Sequence, residues 1–131
     1  MMHSPEIPTD RQTWESPIAY YWWEDEILIS LSKSTLRTVE TIKANVAIVQ
    51  TITGNKPTPL LIYLSKSPIP DKETQSYSKT QLPLIYSSMA MVSKPGLAQF
   101  IMRLLFSFQK PPIPMKSFAD AEKAKRWLRS H

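Results

Sequence analysis

The chain has no cysteine, only two glycines in 131 residues, and its two histidines, His3 and His131, stand at the ends. Without thiols there is no disulfide, no thiolate nucleophile and no cysteine-based metal site. Two glycines cannot build a Gly-rich phosphate loop. Thr53-Gly54-Asn55-Lys56-Pro57-Thr58 lacks the second Gly before its Lys, and it runs from a helix into a strand, the reverse of the phosphate-loop order. No Gly-x-Ser-x-Gly elbow is present either. Imidazoles at the chain ends are a poor base for a preorganised catalytic site. The expectation is a protein that is not an enzyme and carries no cofactor or metal. No apolar run approaches the roughly 18 residues needed to span a bilayer. The opening Met1-Met2-His3-Ser4-Pro5-Glu6 has neither the basic nor the apolar segment of a secretory signal. A cytoplasmic location is expected.

What is present is enough apolar residue, 42%, to bury the core of one domain. The net charge of +5 is unevenly placed. Residues 1–93 hold eight Lys/Arg against nine Asp/Glu, whereas residues 94–131 hold eight against two. No zinc-finger, RNP or helix-turn-helix signature accompanies that basic third, so nucleic acid is not the expected partner. Solvated Lys-rich helix faces account for it, with an acidic protein face or anionic lipid as the partners such charge would favour.

Residues 1–17 carry Pro5, Pro8 and Pro17 without periodicity and read as a flexible N-terminal arm ahead of a single domain over 18–131. Two aromatic and β-branched runs flank Glu24-Asp25-Glu26 and predict a hairpin with a water-exposed acidic turn. Ile27, Ile29 and Leu31 share one face, with Leu28 and Ser30 opposite. Trp22 and Trp23 point to opposite faces, and core packing explains them better than a carbohydrate platform. Val39, Ile42, Val46 and Val49 recur at helical spacing after the N-cap candidate Thr38, and Gly54 closes that helix. Pro59 to Leu64 reads as a central strand buried on both faces. A helix from Asp71 to about Leu82 is ended by Pro83, and a strand follows at Ser88 to Val92. Residues 97–108 form the strongest helical stripe, closed by Pro111-Pro112. A short strand at 115–118 leads to Asp120, the N-cap of a last helix with Ala121, Ala124, Trp127 and Leu128 inward and Glu122 placed to pair with Arg126.

Within 97–108, Met102 and Phe106 fall near the side opposite the main apolar stripe, beside Arg103. Leaving both wet forfeits roughly 1.5–3 kcal/mol each. Met, Phe and Arg are enriched at interfaces, so Met102, Arg103 and Phe106 are the expected contact surface, with a homodimer as the simplest partner.

The order β-β-α-β-α-β-α-β-α predicts an α/β fold: a mixed, largely parallel sheet of about five strands with an N-terminal hairpin, and four helices packed on it. In Tyr21-Trp22-Trp23-Glu24-Asp25-Glu26-Ile27-Leu28, Met89-Ala90-Met91-Val92, Lys110-Pro111-Pro112-Ile113-Pro114, Phe118, Glu122, Ala124 and Trp127-Leu128, the chain resembles the STAS fold of the anti-sigma-factor antagonists. It looks closest to small SpoIIAA-like bacterial proteins of unknown function, over about residues 18–129. The resemblance implies a non-catalytic module that binds a protein partner, switched by phosphorylation of a Ser that follows an Asp after the central strand. Here Leu64-Ser65-Lys66-Ser67-Pro68-Ile69-Pro70-Asp71 has no Asp-Ser pair, and Ser65 and Ser67 occupy about that place. STAS-like topology is also similar to lipid-binding SEC14-type domains, so a carrier of a small apolar ligand or lipid is the alternative to an interaction module.

Overall fold

The computed structural model describes residues 5–93 and 111–131. Six strands lie side by side in chain order: β1 (Trp14–Glu15), β2 (Ala19–Glu24), β3 (Ile27–Ser32), β4 (Thr58–Tyr63), β5 (Tyr86–Val92) and β6 (Met115–Phe118). The first two pairings are antiparallel and the last three parallel. The expected mixed α/β sheet is therefore present, with one more strand than the sequence suggested. That strand comes from the segment read as a loose arm: Trp14 and Glu15 pair with Tyr21 and Tyr20, and Ser16 is buried. A two-residue strand has no periodicity to recognise; pairing with the exposed edge of β2 creates it.

Three helices are described, α1 (Val39–Thr53), α2 (Lys72–Ile85) and α3 (Ala121–Arg129); the helix expected at 97–108 lies outside the described residues. α1 starts and stops where its caps dictate. The Thr38 hydroxyl accepts from the Thr41 backbone N–H at 3.1 Å, while the Thr41 hydroxyl accepts from the Thr38 N–H at 2.9 Å. This reciprocal pair satisfies two donors that the first turn leaves open. At the far end Gly54 sits at φ 65°, ψ 33°, and its N–H reaches the Gln50 carbonyl. Thr38→Ala should cost about 1 kcal/mol, lowering the melting temperature by about 3–5 °C in a domain of this size; a thermal melt followed by circular dichroism reads it.

α2 departs from expectation at its end. Asp71, expected as the first residue of this helix, is its N-cap, accepting from the Thr74 N–H at 2.8 Å, but the helix runs past Pro83 to Ile85. Pro83 stands in the final turn, so most of the helix precedes it, and the Tyr86 N–H still closes on the Leu82 carbonyl. The next strand begins at Tyr86 with no intervening loop, two residues earlier than its β-branched and small residues indicated.

Alternation along each strand divides two hydrophobic layers. On one face α1 and α2 pack through Val46, Val49, Leu82 and Ile85 onto Tyr21, Leu28, Leu60, Met89 and Met91. On the other, α3 lays Ala124 and Leu128 over Trp22, Ile27, Ile29, Leu61, Ala90 and Val92. Strands added successively in one direction place crossover helices of one hand on one face, which is why α1 and α2 lie together. Trp22 is buried under α3 and Trp23 is half-buried on the α1/α2 side, so both indoles serve packing. The acidic turn is only partly a solvent feature. Asp25, at φ 55°, and Glu26 are exposed, but Glu24 meets Lys125 of α3 at 2.9 Å. Glu122 lies 3.6 Å from Lys125 in place of the expected Arg126 pairing.

Candidate functional site: an apolar cavity under α1 and α2

The parallel strands β3 and β4 both end at the same edge of the domain, and the loops 33–38 and 64–71 leave from there. The crevice outside the carboxyl ends of parallel strands is where open α/β sheets hold ligands. In this protein the space between the sheet, α1, α2 and those loops is a cavity of about 240 Å³. Its floor is made by rows of residues in register across the sheet. Leu60, Met89 and Met115 form one row, and Ser30, Ile62 and Met91 the next. Ile42 and Val46 of α1 and Leu82 and Ile85 of α2 form the walls. Stiff β-branched residues and Met together suit an irregular apolar space.

Besides Ser78 and Gln81 of α2, polar groups gather in two places. Deep in the cavity the Tyr21 hydroxyl donates to Asn45 Oδ1 at 2.7 Å and lies 3.2 Å from the Tyr86 hydroxyl. Asn45 falls on the buried stripe of α1, where a polar side chain is tolerated because it has this partner. At the mouth, Arg37 is half-buried. Its Nη1 donates to the carbonyls of Lys33 at 2.6 Å and Thr35 at 2.7 Å, and its Nη2 to Ser32 Oγ at 2.6 Å and the Ile18 carbonyl at 3.2 Å. Burial draws its pKa below the usual arginine value, though the group stays charged at neutral pH. Lys66, exposed, stands on the other loop.

Burial pushes the Tyr21 hydroxyl up in pKa and the Tyr86 hydroxyl well up, the latter helped by its neighbour Tyr21. A folded-state pKa above the unfolded value of about 10 gives stability that is complete below that pH and lost as pH rises through the folded values. The melting temperature should therefore fall progressively above pH about 10. Tyr86→Phe should flatten that fall, as measured by thermal melts across the alkaline range.

The candidate phosphoacceptors Ser65 and Ser67 both line this cavity. Ser65 Oγ donates to the Ser32 carbonyl at 2.7 Å, tying the second loop to the end of β3, and Ser67 is half-buried. Met102, Arg103 and Phe106 lie outside the described residues. Arg37, Tyr21, Asn45 and Tyr86 were not singled out from the sequence. The one signal there was Asn45, a polar residue within the inward stripe of an apolar helix. Among the described residues no group of three or more His, Cys, Asp or Glu could hold a metal ion, and no helix is long and apolar enough to cross a membrane.

A family model described as a domain of unknown function, DUF7793, matches residues 21–131. The chain belongs to that family. This DUF7793 chain is similar in structure to an uncharacterized protein of the DUF3478 family with a SpoIIAA-like fold from Shewanella loihica PV-4. The two superpose with a TM-score of 0.52 at 18% identity, over 98% of this chain and 99% of the other. At that identity the likeness is one of fold, and it is the SpoIIAA-like fold that the sequence resembled. None of the curated proteins matches the DUF7793 chain.

Proposed function

We propose that this domain is a non-catalytic binding module that holds a small apolar molecule in the cavity beneath α1 and α2. The observation that carries the reading is the cavity itself, about 240 Å³ with Leu, Ile, Val and Met on its floor and walls, opening at the carboxyl end of the parallel strands. An engineered cavity of about 150 Å³ binds benzene, so this one has room for about ten non-hydrogen atoms. Its described lining contains no carboxylate, imidazole or thiol, the groups on which acid–base and nucleophilic catalysis most often rely. Its deep hydroxyls are already hydrogen-bonded to one another and to Asn45.

Titration with N-phenyl-1-naphthylamine, a neutral apolar fluorophore, tests the reading. Saturable enhancement at about one probe per chain is expected. Fluorescence that rises only in proportion to added probe would mean the cavity takes no ligand.

A further inference from the structure

We infer that the molecule held in the cavity is a single-chain amphiphile with an anionic head, its tail in the apolar interior and its head between Arg37 and Lys66. This rests on the ligand-holding reading and adds the charge of the ligand to it.

Charge asymmetry at the mouth carries the inference. The described lining contains two cations, Arg37 and Lys66, and no Asp or Glu. Among the described residues no carboxylate forms an ion pair with either. Lys33, on the same loop as Arg37, is by contrast paired with Glu15. The partners of Arg37 are three backbone carbonyls and one hydroxyl, which hold the guanidinium in place without cancelling its charge. Its Nε–H has no acceptor among the described residues. Arg37 lines the cavity from the loop after β3 and Lys66 from the loop after β4. A low-dielectric cleft lined by one sign of charge focuses its field outward, and the matching occupant is an anion with an apolar tail. Two large apolar side chains stand in the same loops, Leu36 at 53% exposure beside Arg37 and Ile69 at 52% in the lining. At about ten non-hydrogen atoms for the enclosed part, a tail of eight to ten carbons is the matching length.

Competition against bound N-phenyl-1-naphthylamine decides this on the full chain, with decanoate, decyl phosphate, decan-1-ol and decylamine as competitors. An apolar cavity without the charged mouth favours the alcohol, because taking an ion out of water is costly. The expected result is at least one anion displacing the probe at tenfold lower concentration than decan-1-ol, with decylamine weakest; the tighter anion identifies the head. Raising ionic strength and Lys66→Gln should each narrow that margin, and Arg37→Gln should abolish it. Arg37 also braces the loop after β3, so Arg37→Gln counts only if its circular dichroism matches the parent. If it does not, the parent's margin, its salt dependence and Lys66→Gln decide the matter. Decan-1-ol competing as well as both anions overturns the anionic head while leaving the apolar pocket standing. Failure of the probe itself to bind overturns both.

Discussion

Leu61→Ala should lower the free energy of unfolding by about 3–5 kcal/mol, the largest stability loss expected of a single substitution here. Leu61 is at the centre of β4, fully buried, paired with Ile29 on one side and Ala90 on the other. It faces α3, among Trp22, Ala124 and Leu128. Two features put the cost at the high end. Its own strand is hydrogen-bonded to β3 on one side and β5 on the other, and cannot collapse into the space. The adjacent Ala90 and Ala124 have no side-chain length with which to fill it. Since a domain of this kind is stable by only about 5–15 kcal/mol, the variant loses at least about a fifth of its margin. Urea denaturation reads the loss as a lower midpoint with the slope unchanged. A loss below about 1 kcal/mol would mean that the α3 face is not packed as described.

The next residue along should respond in the opposite way. Ile62→Trp is expected to leave stability within about 1 kcal/mol of the parent, although small-to-large changes in a filled core cost about 1–3 kcal/mol. It should also weaken binding of N-phenyl-1-naphthylamine at least tenfold. Ile62 points to the other face of the same strand, is only half-buried, and lines the cavity. An indole there has open space to enter, and in entering it takes the volume a ligand would use. A filled interior would instead register the extra atoms as strain, so stability and probe affinity measured on one variant separate a cavity from an ordinary core. Unchanged probe affinity would place the ligand elsewhere.

That contrast between neighbours shows why the binding reading was less legible in the sequence than the fold. Ile27, Ile29 and Leu31 opposite Leu28 and Ser30 could be assigned to faces because alternation is a property of a single strand. The cavity is a property of two helices and five strands at once. Nothing local to Ile62, Leu82 or Met115 distinguishes the wall of a space from the interior of a core. Ser65 and Ser67 were noticed for a phosphorylation pattern, and their position at the mouth follows from where loop 64–71 leaves the sheet. Nothing in the sequence sets Arg37 apart from other loop cations; the fold is what brings its donors to three carbonyls and a hydroxyl.

By itself the sequence determined the order of the described elements from β2 onward, the starts of all three described helices at Thr38, Asp71 and Asp120, the stop at Gly54, and which residues face the same way. Those features depend on φ preferences, capping hydrogen bonds and periodicity, interactions spanning a few residues. The pairing of Trp14–Glu15 with β2, the passage of α2 through Pro83, the meeting of Glu24 with Lys125, and the enclosed space beneath α1 and α2 were decided only in the tertiary structure. Each joins groups far apart in the chain or hangs on how closely two packed elements approach, and neither is encoded in any short stretch of residues.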